Sequence, residues 1–315
     1  MAERLSVSRK ISRVAMTAMF GSKLEFNKEL AEFTSFKTGG SAKYFVTALS
    51  VEDISKAMKV AAKLSLPYFF LGGGSNILVS DDGYDGLIIK IDIRGLKLLN
   101  NGEIECGAGE KLQALVDFSV ENFLTGLEFA SGIWGNVGGA IYGNAGAFGG
   151  EIGSLVTELT LVDSEGRIKT VGPEYCRFGY RDSYMKTSGE AIVKARFQLK
   201  QGDANQIRQK IDEINAARRD RLPTSGYSAG CFFKNIPDPK RQYGKIPAGR
   251  LLEEVGAKQL AVGDARVFEG HANFIINAGR ATSKDIRALA DMLKKKVFDK
   301  FGIMLEEEVI QLGKF

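Results

Sequence analysis

Apolar positions change period at Pro67. Ile54, Met58, Ala61, Ala62 and Leu64 recur at helical spacing behind Ser50 and Asp53, a pair that predicts a capping box. Pro67 ends that rhythm, and the continuous apolar run Tyr68-Phe69-Phe70-Leu71 predicts a buried strand. Strands follow at 86–93 and 104–107, then a helix at 111–123. Segments 156–162 and 168–171 flank Asp163-Ser164-Glu165-Gly166 as a hairpin, 191–199 alternates as a strand, and Asp203 caps a charged helix running to Arg219. The last third predicts a short helix at 248–255, a strand beginning at His271, an amphipathic helix at 283–301 stopped by Gly302, and a strand at 304–312. This mixed order argues for an α+β architecture of more than one layer. The loop-like texture around Pro223, Ser225 and Gly226 marks a boundary just before it.

Two glycine tracts interrupt the pattern. One is Leu71-Gly72-Gly73-Gly74-Ser75-Asn76, at the end of the apolar strand; the other runs from Gly132 to Gly150 and includes Asn136 and Asn144. Glycine loses the most backbone freedom on folding, so such density points to places where bare backbone approaches something closely. Backbone N–H groups at a strand end form a nest for phosphate, and two nests suit a dinucleotide. The final glycine of G-x-G-x-x-G would fall on Ile77, and there is no Gly-Lys-Ser/Thr, so Rossmann and P-loop readings are disfavoured. Tight turns with no ligand are the competing explanation.

With 315 residues, 44% hydrophobic and 26% charged, the chain has globular composition and length for two or three domains. A net charge of +5, dispersed along the sequence, is too mild for a nucleic-acid footprint. Three cysteines without C-x-x-C disfavour a disulfide framework or structural zinc and fit a reducing cytoplasm; no metal is expected. No apolar run is long enough to span a bilayer. The lone histidine, His271, excludes H-E-x-x-H zinc chemistry and reads as structural. Three segments remain as candidate chemistry: 178–186 with Arg181, 228–235 with Cys231, and 305–309 with its glutamates. An arginine can stabilise developing negative charge and a thiol can donate a proton, although each residue alone also fits an ion pair, a small core side chain or a solvated edge.

Together, the segments at 34–40 (TSFKTGG), 71–76, the tract from Gly132, GYRDS at 179–183, SAGCFFKN at 228–235, GHANF at 270–274 and the terminal Glu308-Val309 resemble the UDP-N-acetylenolpyruvoylglucosamine reductases of bacterial cell-wall synthesis. The resemblance implies an FAD-binding fold of the vanillyl-alcohol-oxidase type. It would comprise two subdomains at 23–95 and 96–217, a C-terminal α+β substrate-binding domain at 218–303, a strand at 304–315 carrying Glu308, and an extension at 1–22. It implies that NADPH reduces the flavin, whose N5 delivers hydride to C3 of the enolpyruvyl ether before protonation at C2. Arg181 and Glu308 resemble the pair that polarises the substrate carboxylate, and Cys231 stands where many members carry the serine proton donor. Gly72, Gly73, Gly74, Ser75, Asn76, Gly135, Asn136, Gly138, Gly139, Asn144, Ala145 and Gly146 are implied cofactor contacts, and Arg218, Lys234 and Asn235 implied substrate contacts. Trp134 and Asn136 depart from the usual proline and threonine. The short spacing between GYRDS and SAGCFFKN is similar to the compact subtype. A cytoplasmic monomer or weak dimer acting on a UDP-sugar is expected. The rivals are another FAD oxidase or dehydrogenase of the same fold group and a non-catalytic nucleotide-binding regulator.

Overall fold

The computed structural model describes residue 14 and residues 16–219, 222–223, 226–240 and 244–315, so most of the expected extension at 1–22 and Ser225 lie outside the described residues. Contacts divide the chain into two compact units. One holds the described residues up to Lys28 with Ala42–Gly73 and Asp85–Asn215; the other holds Glu29–Ser41, Gly74–Tyr84 and Ala216–Phe315.

In the first unit, Val51–Leu64 is helical because Ile54, Ala57, Met58 and Ala61 share a buried face and Ser50 Oγ accepts the Asp53 N–H. The predicted capping box is only half present. The Asp53 carboxylate accepts from the Leu49 N–H and from Lys23 Nζ, 2.8 Å away, in place of the Ser50 N–H. Burial opposes its charge, yet those donors hold its pKa below the ordinary value. The helix leads into Tyr68–Leu71, which lies parallel to Tyr84–Ile91 in a four-stranded sheet. A second, antiparallel sheet orders Ile168–Val171, Val156–Val162, Ala191–Gln198, Glu103–Gly107 and Leu96–Leu98. The predicted hairpin occupies two of its strands with Leu159 opposite Val171. Helix Leu112–Glu121 contributes Leu115 to a core shared with Leu159 and Phe197.

The second unit is built on Tyr227–Cys231, Phe274–Asn277, Ala265–Val267 and Ala261–Val262, in that order. Helix Ser283–Phe301 buries Ile286, Leu289, Leu293 and Val297 in the same apolar cluster as Ala265 and Ile275. A complete Thr282/Asp285 capping box starts it and Gly302, at φ 65°, stops it as predicted. Residues 29–41 join this unit because their glycines interlock with 79–83: a Cβ on Gly39 would fall 2.6 Å from Val79 Cβ, and one on Gly83 would fall 2.1 Å from Ser41 O.

Two sequence expectations shift. The strand expected from His271 begins at Phe274, because His271 Nδ1 accepts the Asn273 N–H and its ring packs edgewise on Phe274, forming a turn. The strand expected over 304–312 is a ladder only at Ile310–Leu312, parallel to Ile77–Val79. Ahead of it, Glu307 makes a single bridge to Phe233 while its carboxylate is drawn to Arg287 and Lys294. The division between units falls at Asn215/Ala216, inside helix Ala204–Arg219, where Ser131 Oγ holds Asn215 Oδ1 in the first unit.

Candidate active site

The glycine tracts meet within the first unit. A Cβ on Gly73 would fall 2.8 Å from Gly135 Cα, so backbone packs on backbone there, and one on Gly72 would fall 2.4 Å from the Asn136 side-chain Oδ1. Much of the glycine density is thus explained by close approach of the chain to itself. Asn136 caps the helix Val137–Tyr142 by accepting the Gly139 N–H at 3.0 Å, as a threonine could, whereas Trp134 is 74% exposed. Gly138 N–H donates to Ala108 O, Ala145 N–H to Ala140 O, and Gly146 pairs with Glu151.

Beside this contact opens a cavity of about 430 Å³ whose lining includes Gly73, Gly135, Lys90, Arg94, Lys111 and Trp134. Lys90 stands in the buried strand Tyr84–Ile91 and donates to Gly72 O at 2.9 Å, with burial pushing its pKa down. Bare backbone with Lys90 and Lys111, and Arg94 paired at 2.8 Å with Asp92 on the same lining, suits a diphosphate, so these residues fit the cofactor the tracts imply. Lys90, Arg94 and Lys111 were missed by the sequence reading. Lys90 left one signal, a charge inside the apolar run Leu-Ile-Ile-Lys-Ile.

Gly74, Ser75 and Asn76 fall in the second unit. Gly74, at φ +64°, receives the Ser35 N–H on its carbonyl, and a Cβ there would fall 1.7 Å from Phe33 O. Asn76 Nδ2 donates to Glu308 O at 3.1 Å, so this expected cofactor residue holds the backbone of an expected catalytic one.

Arg181 sits in a tight turn of the first unit. Gly179 and Asp182 exchange N–H···O bonds of 3.0 and 3.2 Å around Tyr180-Arg181, with Arg181 at φ +53°. That is a position glycine favours and arginine rarely occupies. The Asp182 carboxylate lies 3.6 Å from Lys186 Nζ, one helical turn along the chain. The guanidinium lies 5.6 Å from the centre of the Tyr180 ring.

Cys231 and Glu308 are brought together by the second unit. Phe232 O accepts the Glu308 N–H at 2.8 Å, and Lys234 N–H donates to Glu306 O. Cys231 is half-buried at the end of its strand, whereas Cys106 and Cys176 are buried. Burial raises both of those thiols, with nearby glutamates adding to it, Cys176 to about 11. Asn273, overlooked in GHANF except as a motif letter, is 2% exposed and clasps Phe233 through both amide atoms, at 2.8 and 3.0 Å. Lys234 pairs with Glu306, Asn235 Oδ1 accepts the Ala248 N–H at the start of helix Ala248–Glu254, and Arg218 lies in the last turn of its helix. Among the described residues no cluster of metal-ligating side chains occurs.

The fold and the paired glycine tracts define a flavin-binding class: the family profile described as FAD binding domain matches residues 42–172. A second profile, UDP-N-acetylenolpyruvoylglucosamine reductase, C-terminal domain, matches 222–312. Relatives named UDP-N-acetylenolpyruvoylglucosamine reductase include one from Caldicellulosiruptor bescii, 40% identical across 93% of this chain and 92% of its own, and one from Clostridium novyi, 33% identical across 99% and 98%. The crystal structure of the Thermus caldophilus reductase covers 92% of this chain and 98% of its own with a TM-score of 0.77 at 32% identity. The chain belongs to the UDP-N-acetylenolpyruvoylglucosamine reductase family.

Proposed function

We propose that Arg181, Cys231 and Glu308 carry the reduction of UDP-N-acetylglucosamine enolpyruvate to UDP-N-acetylmuramate. The chain is an oxidoreductase of peptidoglycan synthesis, with FAD as cofactor and NADPH as reductant. When bound, reduced FAD supplies the hydride for C3 of the enolpyruvyl group. Gly72, Gly73, Gly135, Asn136 and the cations Lys90, Arg94 and Lys111 would hold the cofactor's diphosphate. Arg181 draws charge onto the substrate carboxylate, and Glu308 fixes that polarisation as negative charge builds on the adjoining carbon. Cys231 gives its proton to C2 and is left as thiolate, a role suited to a thiol, whose ordinary pKa of about 8.5 lies far below a hydroxyl's. Arg218, Lys234 and Asn235 are proposed contacts of the nucleotide sugar. Their part is smaller, since Asn235 already holds a helix start.

The observation that carries this reading is the backbone hydrogen bond in which Phe232 O accepts the Glu308 N–H at 2.8 Å, beside the isolated bridge of Phe233 to Glu307, so that the half-buried Cys231 and Glu308 lie on adjoining stretches of chain. We propose a monomer or weak dimer acting in the cytoplasm, where a nucleotide sugar and NADPH are both made. No described helix is long and apolar enough to cross a membrane. The test is anaerobic absorbance of the purified protein. NADPH should bleach the flavin band, and added enolpyruvyl substrate should restore it. Bleaching without recovery would mean another electron acceptor, and a folded protein that takes up no FAD would overturn the proposal.

A further inference from the structure

The turn that presents Arg181 is pinned at both ends to the second glycine tract. Asn144 Nδ2 donates to Gly179 O at 2.8 Å, at the turn's first residue. Ser183 Oγ donates to Tyr142 O at 2.7 Å, one residue beyond its last. Both side chains are buried, at 1% and 3% exposure. Asn144 Oδ1 meanwhile accepts the Gly153 N–H at 2.9 Å, so both amide atoms have partners within the protein. The pocket around that amide is close-fitting: a Cβ on Gly153 would fall 2.5 Å from the Phe178 ring and 2.8 Å from Asn144 Oδ1. Asn144 lies just past the helix Val137–Tyr142 at φ +43°, a conformation glycine would adopt with less strain. The backbone alone therefore does not require asparagine; the amide's bonds do.

We infer that Asn144 is a positioning residue for Arg181, not a cofactor contact, and that with Ser183 it fixes the Arg181 turn on the tract that closes against Gly72 and Gly73. The inference rests on the reading of Arg181 above. The turn needs such anchorage, because its two internal hydrogen bonds hold an arginine in a left-handed backbone conformation that side chains with a Cβ rarely adopt. A release of the Gly179 end would let the turn relax and carry the guanidinium with it, and a shift near 1 Å is enough to cost on the order of a hundredfold in rate.

The test uses the FAD-loaded enzyme with Asn144→Gly, which keeps the left-handed backbone while deleting the amide. Reoxidation of the reduced flavin by the enolpyruvyl substrate should slow by about 10–100-fold. Reduction by NADPH and the FAD dissociation constant, read by flavin fluorescence on titrating stripped protein, should each stay within about twofold of wild type. In an Arg181→Ala background the same change should cost less than about twofold, because the group it positions is gone. Ser183→Ala, with a milder loss in the same half-reaction, carries the test if Asn144→Gly does not fold. Equal losses with and without Arg181, or a matching loss of FAD affinity, would overturn the inference and return Asn144 to a structural or cofactor role. Full substrate reduction by Arg181→Ala alone would instead sink the reading of Arg181.

Discussion

The turn that carries Arg181 and the strand that carries Cys231 solve the same problem in opposite ways. Arg181 stands at φ +53°, where its own side chain is a steric liability, and buried Asn144 and Ser183 pin the turn around it. Cys231 ends a strand paired with Phe274–Asn277 whose register shifts between Ser228 and Cys231, with Gly230 at φ +81° taking up the irregularity, and the next residue passes directly into the bonds with Asn273 and Glu308. The first arrangement stores strain to present a long charged group; the second relies on a ladder that any small side chain tolerates. Substitutions at the two places should therefore separate function from stability with different signs.

The largest effect is expected at the strand. Cys231→Ala should slow flavin reoxidation by the enolpyruvyl substrate by about 10²–10⁴-fold, with reduction by NADPH preserved and thermal stability nearly unchanged. Stopped-flow absorbance of the two half-reactions reads this directly, and equal reoxidation rates would remove Cys231 from the mechanism. Alkylation should reproduce the loss in the unmodified chain. Iodoacetamide should label Cys231 before Cys106 or Cys176, since burial removes those two from solvent and raises their pKa. Peptide mapping after partial inactivation identifies the modified thiol; labelling of Cys106 or Cys176 in step with activity would contradict the assignment.

The ladder depends on Asn273, and its loss is the next largest effect. Asn273→Ala leaves the Phe233 N–H and C=O buried without their amide partner, which should lower stability by about 2–4 kcal/mol in urea unfolding. A change below about 0.5 kcal/mol would mean that water replaces the amide. The strand would then need another explanation for its order.

The elements were legible where one periodicity ran without interruption. Helix Ser283–Phe301 has its apolar face and its terminal glycine in the sequence, and the hairpin Val156–Val162 with Ile168–Val171 declares itself by alternation around a polar turn. Legibility failed where a side chain far away in sequence redirects the backbone. Glu307 leaves the ladder for Arg287 and Lys294, and Asp53 turns to Lys23 when the local pattern offers Ser50. The tracts were visible through their glycines, but the sequence could not say that Gly73 packs on Gly135, nor that Lys90 and Lys111 lie at the same cavity. The grouping of Glu29–Ser41 and Gly74–Tyr84 with the C-terminal hundred residues has no local signature at all, because it rests on contacts between distant segments.

The smallest effect gives the sharpest discrimination, because it is a difference of sign. At 181 the left-handed backbone penalises any Cβ, so Arg181→Gly should be more stable than Arg181→Ala by about 1 kcal/mol although both lose substrate reduction. At 231 the backbone is extended and glycine only adds freedom to the unfolded chain, so Cys231→Gly should be less stable than Cys231→Ala by about 0.5–1 kcal/mol. Urea unfolding of the four proteins under one buffer reads both differences. Equal order at the two positions would mean that the turn relaxes out of its left-handed conformation once the arginine is gone. In that case the arginine itself would hold the turn in its strained form, and the anchors at Gly179 and Ser183 would be too weak to impose it.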